Sequence, residues 1–228
     1  MLSFNQNLKD EIIAEIIKHR EQDQVIQGTY GKEIDGKWKG CAVGCVIHSL
    51  NLKKGKNLSV SDHSIYETEF GIPRILARLE DRIFEGLSVE NSKTWPENFM
   101  NAVPVNADLS LVWPIFAVWL LTDRENGVIQ YAKNKEVIQK VSDLYSKVIN
   151  CEIVHEEDWV KAYKSADAYA ADAAYAADAY AAAAYAADAY AYAASAADAV
   201  AYAADAASRK IYFKKMADKL IEILKETK

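Results

Sequence analysis

The sequence predicts a mainly α-helical protein: a helical front domain carrying one small β-hairpin, then a long Ala-rich helical region. Three observations lead to this fold class. Residues 162–207 are almost pure Ala, Asp and Tyr. The last proline is Pro114 and the last glycine Gly127, so the chain from Val128 onward is free of helix breakers. In the front half, apolar residues recur at helical spacing between capping residues, and one Asp-Gly pair interrupts them. The shift in composition sets the expected boundary, with residues 1–150 as a helical globular domain. Residues 151–228 then form the Ala/Asp/Tyr-rich region, ending in a basic amphipathic helix.

In chain order, Asn7 to Gln22 reads as a helix with Ile12, Ile13, Ile16 and Ile17 on one face and Asn7 as its cap. Asp35-Gly36 between short flanking segments is the strongest hairpin signal in the chain. GCAVGCVIHSL follows as a helix whose small residues allow close backbone approach, and Asn51 to Ser61 is polar and reads as a loop. SIYETEF is a short helix stopped by Gly71; Pro73 starts the next, PRILARLEDRIFEGL, which Gly86 ends. Thr94 is the expected cap of a helix opened by WPENF and closed before Pro104. Asp108 begins DLSLVWPIFAVWLL, whose Trp113, Phe116, Trp119 and Leu120 are expected to be the main core of the front domain. Helices are then expected from Val128 to Asn150 and from Glu156 onward.

From Ala176 the tract runs AADAY, AAAAY, AADAY, AYAAS, AADAV, with a large residue about every five positions. At about 100° per residue, five residues turn a helix by roughly 140°, so the large residues spiral around it instead of forming a stripe. That period also suits a pentapeptide-repeat β-solenoid. The inward position would then be Ala, however, and the tract supplies only about two coils, too few to bury a core. Ala favours helix over Gly by about 1 kcal/mol per residue, so helix is the expectation. A straight helix of this length would reach ~70 Å, and the tract must protrude, bend or break into antiparallel pieces, with Ser165 and Ser195 as candidate internal caps. Ser165 to Ala207 holds six Asp and no base, whereas Arg209 to Lys228 holds seven bases and three acids, a polarity that complements a helix dipole.

A formal net charge of −6 excludes a general nucleic-acid binder or acidic-membrane binder. The most apolar stretch, Leu109 to Leu121, is too short to span a bilayer. The N-terminal segment lacks the basic region and cleavage site of a signal peptide, and three cysteines fit a reducing compartment better than a disulfide scaffold. The expected location is cytoplasmic.

GCAVGCVIH and GIPRILARLEDRIFEGL, together with WPENFMNAVPVNADLSLVWPIFAVWLL, GVIQYA and the closing ADKLIEIL, resemble a family of uncharacterised bacterial and bacteriophage proteins of similar length. The resemblance covers nearly the whole chain, though in the Ala-rich tract it is one of composition. It implies a phage or mobile-element origin and a role in host interaction, and it carries no established activity.

Four constellations are candidates for chemistry. Cys41, Cys45 and His48 share one helix face, and His63 with Asp62 follows in the next segment; thiolate and imidazole suit zinc, but Cys-x-x-x-Cys-x-x-His on one helix is an uncommon zinc spacing. Core packing of small cysteines is the preferred reading, and no cofactor is expected, with zinc as the alternative. Cys45 with His48 or His63 is a thiol nucleophile and base in outline, yet no hydrolase signature surrounds it. Gly31 to Lys37 matches a phosphate-binding loop, but Trp38 stands where the Mg²⁺-binding Ser or Thr belongs, and a hairpin turn explains the match better. Finally Tyr169, Tyr175, Tyr180, Tyr185, Tyr190, Tyr192 and Tyr202, with Tyr30 and Trp38 in the front loop, offer aromatic faces for bases or sugars, or packing between Ala-rich helices.

The function expected from these features is a non-catalytic binding protein. It would be a phage-associated factor that sequesters a nucleotide-like small molecule or blocks a host protein. A metal-dependent or thiol enzyme using Cys41, Cys45, His48 and His63 is the alternative, and a helical homo-oligomer built through the Ala-rich region is the third.

Overall fold

A computed structural model of the chain describes residues 5–132, 134–162, 164 and 206–228. The protein is mainly helical, with one two-stranded antiparallel sheet among the described residues. Its contacts divide it into two compact units, Met1–Ser110 with Phe213–Lys228, and Leu111–Tyr212. These units follow packing instead of composition, whose shift lies near residue 150.

The first unit opens with α1 (Gln6–Glu21), which buries Ile12, Ile16 and His19. Its cap is Asn5, not Asn7: the Asn5 side chain accepts from the Leu8 N–H. The Lys9 ammonium is buried and donates to the Asn101 and Val103 carbonyls at 2.8 and 2.7 Å. Those carbonyls close α5 (Val89–Ala102), so the charge sits where a helix end is negative. Strands β1 (Lys32–Ile34) and β2 (Lys37–Lys39) pair antiparallel with Glu33 opposite Trp38. Asp35 and Gly36 both take positive φ, as the two-residue turn requires.

Helix α2 (Ala42–Lys54) runs through Asn51–Lys54, four residues expected in the loop, because Gly55 at φ 59° is the residue able to stop it. Helices α3 (Ser64–Phe70) and α4 (Arg74–Gly86) follow the sequence closely, with Gly71 at φ 68° ending the first and Pro73 capping the second. The cap of helix α5 stands six residues before Thr94: Ser88 accepts from the Asn91 N–H. Thr94 and Pro96 therefore lie inside the helix. An internal proline costs about 3 kcal/mol, and burial of Trp95, Pro96, Phe99 and Met100 opposes that cost. Helix α1 packs on α2 and α5, and α4 packs on α2, α3 and α5.

The C-terminal helix α8 (Ala206–Glu226) contributes Phe213, Met216, Ala217, Leu220, Ile223 and Leu224 to buried positions, a stripe at helical spacing. The ring of Phe213 covers Gly86, where a Cβ would stand 2.2 Å from it. Gly86 thus admits an aromatic ring and is not needed for a left-handed turn.

The second unit is built on α6 (Val112–Thr122) and α7 (Lys135–Ile149). Trp113, Phe116 and Leu120 are core residues as expected, but of this unit; Trp119 is half-buried. The Trp113 indole donates to the Tyr145 hydroxyl at 3.2 Å, and Trp159 lies edge-on to Tyr145. The helix expected from Val128 is instead a 3-10 turn (Val128–Gln130), with α7 restarting after Asn134. Residues 156–162 are helical. The helix or solenoid expected for the Ala-rich tract lies outside the described residues. Among the described residues, no helix is long and apolar enough to cross a membrane.

Candidate functional site

The site is assembled by laying the 27–31 loop over the first turn of α2. Gln27 Nε2 donates to the Phe84 and Leu87 carbonyls at 2.7 and 3.0 Å, and the Gly28 N–H donates to both Glu85 carboxylate oxygens at 3.1 and 2.9 Å. The Cys41 N–H donates to the Thr29 carbonyl at 2.7 Å. The loop then crosses α2 so closely that a Cβ on Gly44 would stand 1.6 Å from the Tyr30 carbonyl oxygen, and one on Gly40 2.5 Å from it. Both glycines of GCAVGC are therefore occupied by the backbone of residue 30. This places Tyr30 over Cys41, at the N-cap of α2.

Three elements meet beneath Tyr30. Cys41 comes from α2, His63 and Tyr66 from the start of α3, and Glu80, Asp81 and Glu85 from α4. Single donor atoms of Cys41, Asp81 and Glu85 all lie within 4.8 Å of one another. His63 Nε2 is 3.2 Å from Asp81 Oδ2, and the Tyr30 ring meets the His63 ring edge-on at 5.6 Å. Cys41 is buried, Asp81 is 9% exposed, and Glu85 reaches solvent.

Below them, Tyr66 and Glu80 are 0% exposed. The Tyr66 hydroxyl, both Glu80 oxygens and Asp81 Oδ1 make no hydrogen bond. The Tyr66 hydroxyl faces Glu80, and the Tyr30 hydroxyl and Cys41 thiol face Asp81, but none of these approaches reaches good hydrogen-bond geometry at the four atoms. An unpaired buried polar group costs about 1–3 kcal/mol, so four such atoms in one nest call for a partner.

Burial, followed by the nearby Asp81 carboxylate, pushes the Cys41 thiol far above its ordinary range; burial does the same to Cys45. The same two causes raise the Tyr30 hydroxyl to about 12. Burial holds Glu80 well above the usual carboxylate range and raises Glu85, with the Gly28 N–H opposing it there. The cluster thus favours the neutral forms of its buried thiol, phenol and carboxyl groups. It also lacks an activated thiol: His63 faces Asp81, and His48 is elsewhere.

His48 stacks on Trp38 with ring centroids 4.0 Å apart and planes at 6°, and His19 lies 5.6 Å from it. His19 Nε2 meets Ser49 Oγ at 2.9 Å, that hydroxyl donates to the Cys45 carbonyl, and His19 Nδ1 faces Gln24 Oε1. Of the four sequence candidates for metal, Cys41 and His63 therefore converge on Asp81. Cys45 donates instead to the Gly40 carbonyl at 3.5 Å, and His48 joins an aromatic stack. Tyr30 borders the Cys41, Asp81 and Glu85 cluster while Trp38 belongs to the histidine stack; Tyr169, Tyr175, Tyr180, Tyr185, Tyr190, Tyr192 and Tyr202 lie outside the described residues.

Sequence reasoning missed Tyr66, Glu80, Asp81 and Glu85. A signal was present: Glu80 falls between Leu76 and Ile83 on the apolar stripe of α4, where a solvated acid does not belong.

The histidine stack makes a pH prediction. Burial lowers His19, with Gln24 and Glu15 opposing; burial and then His19 lower His48. Folded pKa values below the ordinary 6.5 mean that the unfolded chain binds protons first as pH falls. The stability is present above about pH 6.5 and is lost as pH drops through the folded values. Melting temperature should fall on the acid side, and His19→Gln should flatten that slope; an unchanged slope refutes the assignment.

No family model, curated protein or solved structure matches the chain.

Proposed function

We propose that this protein is a non-catalytic binding protein whose ligand is a cation, captured in the pocket of Tyr30, Cys41, His63, Asp81 and Glu85. The observation that carries this reading is the nest of unpaired atoms on Tyr66, Glu80 and Asp81 beneath converging Cys41, Asp81 and Glu85 donors. A cation supplies the missing partners and takes the place of protons that burial keeps on these groups. The acidic side chains Asp81 and Glu85 disfavour a phosphate-bearing ligand at this place, so a nucleotide would need a different site. The absence of an imidazole base on either buried thiol favours capture over thiol chemistry. A phage-associated role in host interaction, implied by the sequence resemblance, is compatible with such a sequestering protein.

Thermal unfolding with divalent metal ions, organic ammonium ions and nucleotides tests this. A ligand at about 100 times its Kd adds ~2.7 kcal/mol of stability. Cations should raise the melting temperature of the full chain and be recovered chemically unchanged, and Asp81→Asn should abolish the response. Stabilisation by nucleotides alone would overturn the cation reading. A melting temperature that responds only to protein concentration would favour the helical oligomer.

A further inference from the structure

Resting on the binding reading above, we propose that the pocket is a site for a zinc-class divalent transition-metal ion, with Cys41 Sγ, Asp81 and Glu85 as its protein ligands and His63 as the residue that positions Asp81. Among the described residues, this is the trio of His, Cys, Asp and Glu donors that converges within 4.8 Å. Metal–ligand bonds of about 2.0–2.3 Å put tetrahedral ligand atoms roughly 3.3–3.8 Å apart, so closure on an ion needs about 1 Å of side-chain movement. Glu85 can supply it, because it stands at the exposed rim and is anchored through the Gly28 N–H and not through a rigid core contact.

The donor chemistry selects the ion. Magnesium and calcium take oxygen ligands throughout, whereas a cysteine sulfur beside two carboxylates suits zinc and its neighbours. Three protein ligands leave one coordination position for water. The second observation is Asp81 itself: Oδ2 is 3.2 Å from His63 Nε2, while Oδ1 is buried with no partner in good hydrogen-bond geometry, the Tyr30 hydroxyl and the Cys41 thiol both facing this carboxylate. That is the arrangement of a ligating carboxylate whose other oxygen is fixed by an outer hydrogen bond. The unpaired, fully buried Tyr66 hydroxyl lies within electrostatic reach of Cys41 and Asp81, on the same pocket. Binding forms the metal–sulfur bond and releases the Cys41 thiol proton to solvent, so no other reactant is required and affinity rises with pH.

Cobalt(II) titration of the reduced full-length protein tests the proposal. One equivalent should produce a sulfur-to-cobalt charge-transfer band in the near ultraviolet, displaced by zinc. Cys41→Ser should abolish the band, and Cys45→Ser and Cys151→Ser should keep it. Glu85→Gln, which keeps one oxygen to accept from the Gly28 N–H, should weaken binding at least tenfold in a chain that still folds, and His63→Asn should weaken it about 10–100-fold while keeping the band. A band that survives Cys41→Ser, or is lost with Cys45→Ser while that variant remains folded, overturns the assignment. Absence of any band, with melting still raised by organic ammonium ions, ends the metal proposal and leaves the cation-binding reading. Absence of both ends the two together.

Discussion

Gly44→Ala is expected to destabilise the protein by about 3 kcal/mol, the upper range for overpacking. The added methyl would stand 1.6 Å from the Tyr30 carbonyl oxygen, a backbone atom that cannot swing aside as a side chain does. The loop must lift, and with it go the Gly28 contact to Glu85 and the Thr29 contact to Cys41. Stability and cation binding should therefore fall together in this variant. Gly55→Ala provides the contrast. It meets nothing within 4 Å, but its φ of +59° makes an L side chain costly by about 1–2 kcal/mol, with no effect on the pocket. Urea unfolding monitored by circular dichroism reads both. A Gly44→Ala loss smaller than that of Gly55→Ala would mean that the loop does not lie on α2 as described.

Phe213→Ala should cost about 3–5 kcal/mol, the range for large aromatic deletions from a core. Phe213 is 2% exposed and its ring covers Gly86. Gly86→Ala alone should also destabilise, since its Cβ would meet that ring at 2.2 Å. In the double variant the methyl enters the space left by the ring, so the two losses should sum to less than their separate values. Strict additivity would show that residues 213 and 86 do not touch. The same logic predicts that a chain ending at Ser208 loses the first unit's cooperative unfolding, because six buried residues of α8 leave with it.

Particular residues show where the sequence was informative. Asp35-Gly36 specified its hairpin because two consecutive positive-φ positions are accessible to few residue pairs. Gly71 and Pro73 marked helix ends for equally local reasons. The small residues of GCAVGC signalled close approach, but not what approaches. Boundaries slipped where two local signals competed: Ser88 outranked Thr94 as a cap, and Gly55 outranked the polar Asn51 as a stop. The candidate site was half legible. Cys41 and His63 stood out by residue type, whereas Asp81 and Glu85 resembled the solvated face of an amphipathic helix.

The sequence by itself therefore determined the mainly helical class, the hairpin and most helix ends, because caps, breakers and spacing act over a few residues. The tertiary structure alone decided that Cys41 meets Asp81 and not His48. It also decided that Trp113 and Phe116 form the core of a second unit and that Phe213 closes the first. Those outcomes join residues tens to more than a hundred positions apart. They are set by which apolar faces bury one another and by where a missing Cβ lets one backbone lie on another, information that no local pattern contains.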